Sequence, residues 1–296
     1  MSERYLILGG GGQLAQALQR LLPEKGIVVS QRELDITSPT CHQQLDTLYD
    51  AHGFSVLYNA AAYTQVDKAE EEKAQAFAVN AEAVQRLGEW CKAHDVVLVH
   101  YSTDYVFDGA GDNPRSEDAP TAPANAYGAS KLAGEQALDA IGGRYLTFRT
   151  SWVYDASGKN FVNTMLRLMA ERESINVVAD QIGAPTYALH LAQASIEAVA
   201  HARAQPSFPS GIYHLCGGGE VSWYGFAQAI YEQAKSYKLP LRCQSIQPIL
   251  TTQYPTPAKR PLNSRLDCTK ARNILGVVLP NWQDGLKQCF REKYGH

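Results

Sequence analysis

The sequence predicts an α/β protein built on a doubly wound parallel sheet, with a smaller α/β part toward the C terminus. Short apolar stretches with the length of buried strands alternate with segments of helical spacing as far as Arg149. The first of these strands runs straight into a series of glycines. The chain has 296 residues, 45% of them hydrophobic, which suits one large or two modest domains.

The first predicted strand, 5–8, leads into the glycine turn Gly9–Gly12, and leucines at helical spacing follow until Pro23. Glycines at the start of a helix let backbone amides and the helix dipole approach a pyrophosphate, which side chains would keep away. The pattern Gly-x-x-Gly-x-x-Ala departs from the three-glycine fingerprint at Ala15, which is still small enough for close packing. The turn therefore predicts a Rossmann-like dinucleotide site that includes Gly9 and Gly12.

The end of the second predicted strand, 26–29, should decide the cofactor preference, because an acidic residue there would bind the ribose hydroxyls of NAD. A serine, a glutamine and Arg32 follow the strand instead. Arg32 could pair with the ribose phosphate of NADPH, so we expect NADPH to be preferred and NADH to be accepted as well. Asp35 and Ile36 come next and could close the adenine pocket, although Asp35 could equally cap a helix.

Small residues, 60–62, follow the third predicted strand, 55–58, directly after Asn59. Small side chains at the carboxyl end of a parallel strand would let the backbone approach a bound nucleotide. They would also suit simple packing of a helix on the sheet. Both explanations are open from the sequence alone.

The fourth predicted strand, 96–99, precedes Thr103, and a later helical segment carries Tyr127 and Lys131. Residues four apart in a helix share one face, about 6 Å apart along the axis, so Lys131 can stand beside the phenol of Tyr127. An ammonium there would stabilise the phenolate and bring the pKa of tyrosine, ordinarily about 10, toward the working pH. With the hydroxyl of Thr103, these groups predict a site that donates a proton to a carbonyl oxygen beside the nucleotide.

The pattern of strands and helices loosens after the fifth predicted strand, 145–148. The later elements that we predict are helices over 161–172, 187–203 and 223–235 and strands over 175–178 and 211–215, with a proline-rich and glycine-rich loop at 205–211. We therefore divide the chain into an NADP-binding Rossmann domain, 1–150, and a mainly substrate-binding domain, 151–296. Some segments of the second part should return to the first.

Seven motifs together resemble the extended short-chain dehydrogenases/reductases and, within them, the dTDP-4-dehydrorhamnose reductases. They are GGQL (11–14), NAAAYTQVDKAE (59–70), HYSTDYVFDG (100–109), YGASKLAGE (127–135), RTSWVY (149–154), DQIGAPT (180–186) and YPTPAKRPLNSRLD (254–267). The first and fourth are signals of the whole superfamily, whereas the last three are more particular to this reductase group. The match covers nearly the full chain.

The resemblance implies reduction of the C4 ketone of dTDP-4-dehydro-β-L-rhamnose to dTDP-L-rhamnose, with hydride from the nicotinamide. It implies that Tyr127 donates the proton, that Lys131 lowers the pKa of Tyr127 and holds the nicotinamide ribose, and that Thr103 positions the substrate oxygen. The further positions at which this family holds its dinucleotide are Gly12, Gln13, Leu14, Asp35, Ile36, Ala62, Tyr63 and Thr64.

The predicted substrate-binding set is Thr103, Asp104, Trp152 and Arg260. Trp152 falls where the family packs an aromatic ring against the sugar, and an indole face suits the apolar side of a deoxysugar, although burial in the core is the ordinary explanation for a tryptophan. Arg260, with Lys259 and Arg265, could meet the diphosphate.

Positions at which this sequence differs from related proteins reduce the number of candidate functions. A sugar-nucleotide 4,6-dehydratase would carry an acidic residue where this chain has Tyr105, and the epimerases differ in the same segment. A regulatory subunit that binds NADP without turnover, as in the methionine adenosyltransferase system, also resembles this family and stays open. Some members are joined by magnesium between acidic residues, but Ala17 and Leu189 fall at those positions, so we predict no metal and no metal-bridged dimer.

Composition and charge exclude several other classes of protein. The net charge of −3 gives no excess of positive charge for binding nucleic acid. No stretch approaches the roughly 20 apolar residues that span a bilayer. The six cysteines lack a Cys-x-x-Cys pair, and the N terminus lacks a signal-peptide pattern. We expect a cytoplasmic enzyme for a small sugar nucleotide, without nucleic-acid or membrane partners, as a monomer or weak homodimer.

Overall fold

The computed structural model describes residues 3–295. Its strands are β1 (Tyr5–Leu8), β2 (Gly26–Val29), β3 (Val56–Asn59), β4 (Val97–Thr103), β5 (Tyr145–Thr150), β6 (Val153–Tyr154), β7 (Ser174–Val178), β8 (Ile182–Gly183), β9 (Thr186–Tyr187), β10 (Gly211–His214), β11 (Val221–Ser222), β12 (Ser245–Ile249) and β13 (Asn263–Ser264). Its α-helices are α1 (Gln13–Leu21), α2 (Cys41–His52), α3 (Lys73–Phe77), α4 (Ala83–Ala93), α5 (Ala126–Ile141), α6 (Phe161–Glu171), α7 (Ala188–Ala204), α8 (Trp223–Ser236), α9 (Thr269–Leu275) and α10 (Trp282–Tyr294). Single 3₁₀ turns occur at Lys68–Glu70, Asp104–Val106 and Thr251–Gln253, and a π-helical turn at Ala78–Glu82 precedes α4.

Six strands form the central sheet in the order β10-β5-β4-β3-β1-β2. Every neighbouring pair in it is parallel. The chain moves from β1 outward to β2 and then crosses to β3 on the other side, so the direction of winding reverses between β1 and β3. Ligands of open α/β sheets bind in the crevice at the carboxyl ends of strands beside such a reversal.

Two apolar layers cover the sheet, and β1 shows how the sequence builds them. Tyr5 and Ile7 belong to one cluster of buried side chains and Leu6 and Leu8 to another. Alternate residues of a strand point to opposite faces, so a continuous apolar strand has to be covered on both sides. Helices α1 and α7 cover the first face, and α2 and α4 cover the second. The doubly wound α/β fold predicted from the sequence is confirmed.

The smaller part has its own apolar cluster, to which α6, α8, α10 and the paired strands β7 and β12 contribute. Strand β8 lies between β11 and β13, and β6 pairs with β9. Among the described residues, no helix has the length and apolar character needed to cross a membrane.

Two elements from beyond residue 150 belong to the central sheet and its covering layer. Strand β10 pairs with β5 along 211–214, and α7 packs against α1. The edge of the parallel sheet is therefore completed by a strand that follows most of the second half in sequence. The division into two domains near residue 150 stays a prediction.

Candidate active site

A cavity of about 680 Å³ opens at the carboxyl ends of β1, β2 and β3, beside the reversal of winding. Eight of the predicted cofactor residues line it, namely Gly9, Gly12, Arg32, Asp35, Ile36, Ala62, Tyr63 and Thr64. Residues from three different strand ends thus meet around one space, although they are far apart in the sequence.

The glycine turn packs against backbone at Gly9 and faces open space at Gly11. Gly9 has φ +84°, and a Cβ placed on it would lie 2.8 Å from backbone atoms of Ala60 and Ala61. A Cβ on Gly11 would meet nothing within 4 Å. The first amides of α1 have no partner within the helix and are free for an anion. This open cradle fits the pyrophosphate of a dinucleotide.

Gln13 and Leu14 can serve a nucleotide mainly through their backbone. The Oε1 of Gln13 accepts a 2.7 Å hydrogen bond from Nδ2 of Asn160. The side chain of Leu14 packs against the apolar cluster between the sheet and α7. Both side chains are therefore engaged inside the protein, and the amides of this first helical turn are the groups that face the predicted site.

The turn after β2 carries one exposed cation and two engaged carboxylates. Arg32 is exposed and lines the cavity. Oε2 of Glu33 accepts hydrogen bonds from the amide and the hydroxyl of Ser30, at 2.8 and 2.7 Å. Oδ1 of Asp35 accepts from the amide and hydroxyl of Thr37, at 2.9 and 2.7 Å. Asp35 therefore caps this turn as well as lining the cavity.

Asn80, which our sequence analysis does not identify, ties the loop after β3 to α5. Its Oδ1 accepts from the amide of Tyr63 at 2.9 Å, and its Nδ2 lies 3.0 Å from both the carbonyl of Tyr63 and Oγ of Ser130. The Ser130 hydroxyl donates to the carbonyl of Tyr127 at 2.8 Å. Asn80 stands in the π-helical turn and is buried. No residue spacing predicts a π-helical turn, so the sequence gives no signal that Asn80 would connect these two segments.

Helix α5 places Tyr127 in its first turn. Oδ1 of Asn125 accepts from the amide of Gly128 at 2.8 Å, which caps the helix. A Cβ on Gly128 would overlap the carbonyl oxygen of Tyr105, so only glycine lets the helix pack this closely on the turn after β4. The ring of Tyr105 lies edge-on to that of Tyr127, with centroids 5.7 Å apart.

Thr103 and Tyr127 come together at the end of β4, as the sequence predicts. The hydroxyl of Thr103 lies near the phenol of Tyr127 and donates to Oδ1 of Asp104 at 3.1 Å. Burial, and then the nearby Asp104 carboxylate, raise the pKa of Tyr127 to about 12 against the opposing effect of Thr103. This direction is opposite to the lowering expected from Lys131. The phenol is therefore protonated at neutral pH and able to donate.

Asp104 is itself an unusual carboxyl group. Burial raises its pKa to about 6, although hydrogen bonds from Ser264 and Thr103 act in the opposite direction. Within residues 3–295, its buried Oδ2 has no hydrogen-bond partner. A buried carboxylate oxygen without a partner is costly and typical of a ligand-facing position.

Lys131 is buried in a polar network that the sequence does not reveal. Its Nζ donates to the carbonyl of Tyr101 at 2.6 Å and lies 3.3 Å from Nε2 of His100. Nδ1 of His100 lies 3.2 Å from Nδ2 of Asn59, and Oδ1 of Asn59 accepts from the amide of Ala61 at 3.3 Å. Burial lowers the pKa of Lys131 to about 8. The network links Lys131 to the loop that lines the cofactor cavity.

A second cavity, of about 930 Å³, lies between the central sheet and the smaller part. Tyr105 lines it, so it reaches the residues around Tyr127. Its lining includes the cations Arg167, Arg172 and Arg260 and a single acidic residue, Asp67. This excess of positive charge suits a phosphorylated substrate.

Trp152 stands at the edge of that second cavity. Its indole stacks on that of Trp223, a lining residue, with centroids 3.5 Å apart and planes 11° apart. A Cβ placed on Gly183 would lie 2.9 Å from the six-membered ring of Trp152. The backbone of Trp152 is left-handed, with φ +50°. One face of Trp152 is thus covered by Trp223, and a sugar would meet it only at the rest of its surface or by parting the two rings.

Only one of the three candidate cations near the diphosphate lines the second cavity. Arg260 does so, and its Nη2 donates to Oδ2 of Asp67 at 2.8 Å. Arg265 is held by Glu220 through bonds of 2.6 and 3.3 Å. Lys259 is exposed. Of the three, Arg260 keeps its place as the predicted substrate contact.

The two positions at which the resemblance leads us to expect the magnesium ligands of some family members carry hydrocarbon side chains in this protein. Ala17 is fully buried on α1, and Leu189 of α7 packs against the same apolar cluster. Hydrocarbon side chains cannot coordinate a hard cation. The absence of a metal-bridged dimer stays a prediction.

Comparison with known proteins identifies the family. The model of the RmlD substrate binding domain matches residues 3–294. The chain is 45% identical over 296 residues to a dTDP-4-dehydrorhamnose reductase of Burkholderia thailandensis, with 98% of each chain covered. It is 41% identical over 293 residues to that of Escherichia coli K12, with 98% of this chain and 97% of the relative covered.

Solved structures agree with these relatives. A dTDP-4-dehydrorhamnose reductase of Bacillus anthracis in complex with NADP superposes with a TM-score of 0.89 at 36% identity, over 99% of this chain and 100% of the other. One from Clostridium acetobutylicum gives 0.88 at 32% identity, over 98% and 99%. The family indicated by the sequence motifs is therefore confirmed, and the chain belongs to the RmlD substrate binding domain family.

Proposed function

We propose that this protein reduces the C4 ketone of dTDP-4-dehydro-β-L-rhamnose to the alcohol of dTDP-L-rhamnose, with NADPH as the preferred cofactor. The observation that carries the proposal is the pairing of Thr103 with a protonated Tyr127 between a dinucleotide cavity and a cation-lined cavity. The relatives named above share this activity in their names and nearly the whole length of the chain.

The first cavity has the features that a dinucleotide requires. The turn at Gly9 leaves an open cradle for a pyrophosphate, and Arg32 offers a cation where the ribose phosphate of NADPH would need one. The bound nicotinamide supplies the hydride. The structure in complex with NADP from Bacillus anthracis, at 36% identity, supports the assignment of the cofactor.

Proton delivery falls to Tyr127. Hydride addition turns the ketone oxygen into an alkoxide, which needs a proton from a group within hydrogen-bond reach. Tyr127 begins protonated because its pKa is about 12, and the hydroxyl of Thr103 fixes the phenol beside the position for that oxygen. We assign Thr103 the task of holding the substrate oxygen and Lys131 that of binding the nicotinamide ribose and stabilising the phenolate once it forms.

The second cavity provides for the rest of the substrate. Arg260 and the neighbouring arginines of the lining can meet a diphosphate. Trp152 and Trp223 present aromatic surface to a deoxysugar, and Asp104 offers its free Oδ2 near the reacting carbon. We therefore keep Thr103, Asp104, Trp152 and Arg260 as the substrate-binding set.

The decisive experiment is incubation of the purified protein with the 4-keto sugar nucleotide and NADPH. Loss of the ultraviolet absorbance of the reduced nicotinamide should be matched by an equal amount of dTDP-L-rhamnose, identified by mass spectrometry and NMR. NADPH binding without any turnover would instead indicate the regulatory-subunit alternative and end the proposal.

Tyr127→Phe separates the chemistry from the fold. This variant should bind NADPH normally and lose turnover by roughly 10²–10⁴-fold, as expected for an acid catalyst. Tyr58→Phe is a matched control. It removes a buried phenolic hydroxyl of strand β3 that has no hydrogen-bond partner among the described residues. Equal activity of both variants would remove Tyr127 from the mechanism.

Two finer points belong with this proposal. We place the enzyme in the cytoplasm, with support from its free cysteines, which a reducing compartment preserves. We expect a monomer or a weak homodimer that no metal bridges, with support from the apolar residues Ala17, which is buried, and Leu189, which is partly buried. Light scattering with and without magnesium tests the second point, and a magnesium-dependent dimer would contradict it.

A further inference from the structure

Two cysteines from distant parts of the sequence meet beside the active site. Cys216 follows β10 and Cys268 directly precedes α9, and their Sγ atoms are 3.6 Å apart. A sulfur–sulfur bond is about 2.05 Å long, so a small movement of the side chains would join them. Cys216 is buried, whereas Cys268 is partly exposed. One thiol of the pair can therefore be reached from solvent.

The two thiols are not equivalent. The contact between the two sulfurs lowers the pKa of Cys268 despite burial. The same contact, together with burial, raises the pKa of Cys216. A thiol of lowered pKa that solvent can reach, next to a second thiol, is the arrangement found in cysteines that react with peroxides.

The remaining four cysteines are shielded from solvent, unlike Cys268. Cys41, Cys91, Cys243 and Cys289 are all buried. Burial raises the pKa of Cys91 and Cys289, so their thiols are protonated and shielded. They serve as internal references within the same chain.

We propose that Cys268 is a site of oxidation by peroxides and that Cys216 resolves the product as an intramolecular disulfide. In the first step the Cys268 thiolate attacks one oxygen of hydrogen peroxide, the O–O bond breaks, and sulfenic acid and water form with uptake of one proton. In the second step the sulfur of Cys216 displaces the hydroxyl from Cys268 and releases a second water. The two thiols lose two electrons and two protons together, and one peroxide becomes two waters.

The position of the pair gives the disulfide a consequence for the substrate side of the site. Cys268 ends the segment that carries Arg260 and Ser264, and Ser264 lies close enough to Asp104 to act on its pKa. Cys216 is continuous with β10 of the central sheet. The bond would therefore fix this substrate segment to the sheet. This consequence, unlike the oxidation itself, rests on the proposed function.

Peptide mapping tests the oxidation without any substrate. Trypsin places Cys268 on peptide 266–270 and Cys216 on peptide 204–235, and neither peptide contains another cysteine. After treatment of the native protein with hydrogen peroxide and alkylation, we expect the two peptides linked and lighter by two hydrogens. The other four cysteines should be alkylated in full once the protein is denatured. A pair that stays free while another cysteine oxidises would overturn the proposal.

Serine variants establish the order of the steps. Cys216→Ser should stop at sulfenic acid on Cys268, which a dimedone label traps, and Cys268→Ser should leave Cys216 unreacted. Cys289→Ser is the matched control and should form the Cys216–Cys268 link like the parent. Sulfenic acid on Cys216 in the Cys268→Ser variant would reverse the assigned roles and refute this mechanism.

Turnover tests the consequence for the site. The oxidised enzyme should show a lower kcat with the sugar nucleotide that recovers on reduction, because segment motions commonly limit turnover. Its affinity for NADPH should not change, since the lining of the dinucleotide cavity includes neither cysteine nor the segment that Cys268 ends. Unchanged turnover in fully linked enzyme would overturn the coupling to the site, whereas the mapping result would decide the oxidation site by itself.

Discussion

Two buried cations, Lys131 and Arg149, lie close to the same helix but have opposite surroundings. Arg149 reaches both carboxylate oxygens of Glu135 on α5, at 2.9 and 2.7 Å, and its Nη1 lies 3.4 Å from Nε2 of His214. Lys131, one turn earlier on α5, contacts a backbone carbonyl and the imidazole of His100, which are both uncharged. Arg149 is in direct contact with the Glu135 carboxylate, whereas the same carboxylate acts on Lys131 only through space, without a hydrogen bond.

The difference separates a structural ion pair from a functional charge. A buried cation with a bidentate carboxylate is satisfied, and its removal mainly leaves an uncompensated charge. A buried ammonium held only by neutral acceptors keeps its field available for a nearby phenolate or ribose. The comparison therefore assigns stability to the Arg149–Glu135 pair and catalysis to Lys131, and the following variants test that division.

The largest expected effect comes from removing each cation in turn. Lys131→Met should fold and lose turnover by roughly 10²–10⁴-fold, the range for losing a group that acts on the proton donor. Arg149→Met should lose about 3–5 kcal/mol of folding free energy because Glu135 is left buried and unpaired. Steady-state kinetics and chemical denaturation measure the two. Comparable loss of turnover per folded molecule in both variants would abolish the distinction.

The two histidines beside these cations give a matched pair with a smaller effect. His100 and His214 are both completely buried. His100→Leu should lower kcat by about 10–100-fold because Lys131 loses a positioning partner, and small misplacements carry costs of that order. His100→Gln should recover part of the loss, since its amide can reach Lys131. His214→Leu should change kcat by less than about threefold, as Arg149 keeps Glu135.

A purely structural role for His100 predicts a different pattern. Leucine and glutamine would then depress activity only as far as they lower the folded fraction, without recovery by glutamine. Thermal unfolding of all three variants beside the kinetics distinguishes the two cases.

Arg32, an exposed cation, extends the comparison to the cofactor cavity. Arg32→Ala should weaken the preference for NADPH over NADH by about fivefold, since one exposed ion pair to a phosphate contributes about 1 kcal/mol. The ratio of kcat/KM for the two cofactors measures it. Arg291→Ala, which removes an exposed arginine of α10, is the control. An unchanged ratio in Arg32→Ala would mean that Arg32 does not bind the ribose phosphate.

A further expected effect is on stability at alkaline pH. Burial lowers the pKa of Lys131 from 10.5 to about 8, so below about pH 8 the folded and unfolded chains are both charged there and the burial penalty is complete. Between about 8 and 10.5 the unfolded chain binds more protons, and stability should rise with pH relative to Lys131→Met. Denaturation of both proteins across this range measures the difference. A constant difference would mean that Lys131 titrates normally.

The sequence was most informative where one local pattern determines one structure. The strand, glycine turn and helix at the N terminus were predicted with correct bounds for β1, and the sequence places Tyr127 and Lys131 on one helix. The fourth strand was predicted too short, at 96–99, because Ser102 and Thr103 are polar yet continue β4 to the active site. Polar residues at a strand end are invisible to an apolar pattern when a site, rather than solvent, surrounds them.

Features built by distant segments were beyond the sequence. Nothing in Asn59, Asn80 or His100 as single residues indicates a network, because their contacts depend on the register between β3 and β4 and on a π-helical turn. The surroundings of Lys131 likewise could not be predicted, and neither could the burial of Tyr127 near Asp104, which raises the pKa of the phenol. Side-chain partners that come from separate strands require the packed structure.

The stacked indoles of Trp152 and Trp223 give the enzyme a natural optical reporter. Two indoles stacked with ring centroids 3.5 Å apart are close enough to couple their electronic transitions, and a skew between the two transition dipoles gives a paired positive and negative band in circular dichroism. Because one ring lines the substrate cavity, any ligand that parts the rings would erase this signal without an added label. Substrate entry can thus be followed in the unmodified protein, separately from the oxidation of the cofactor.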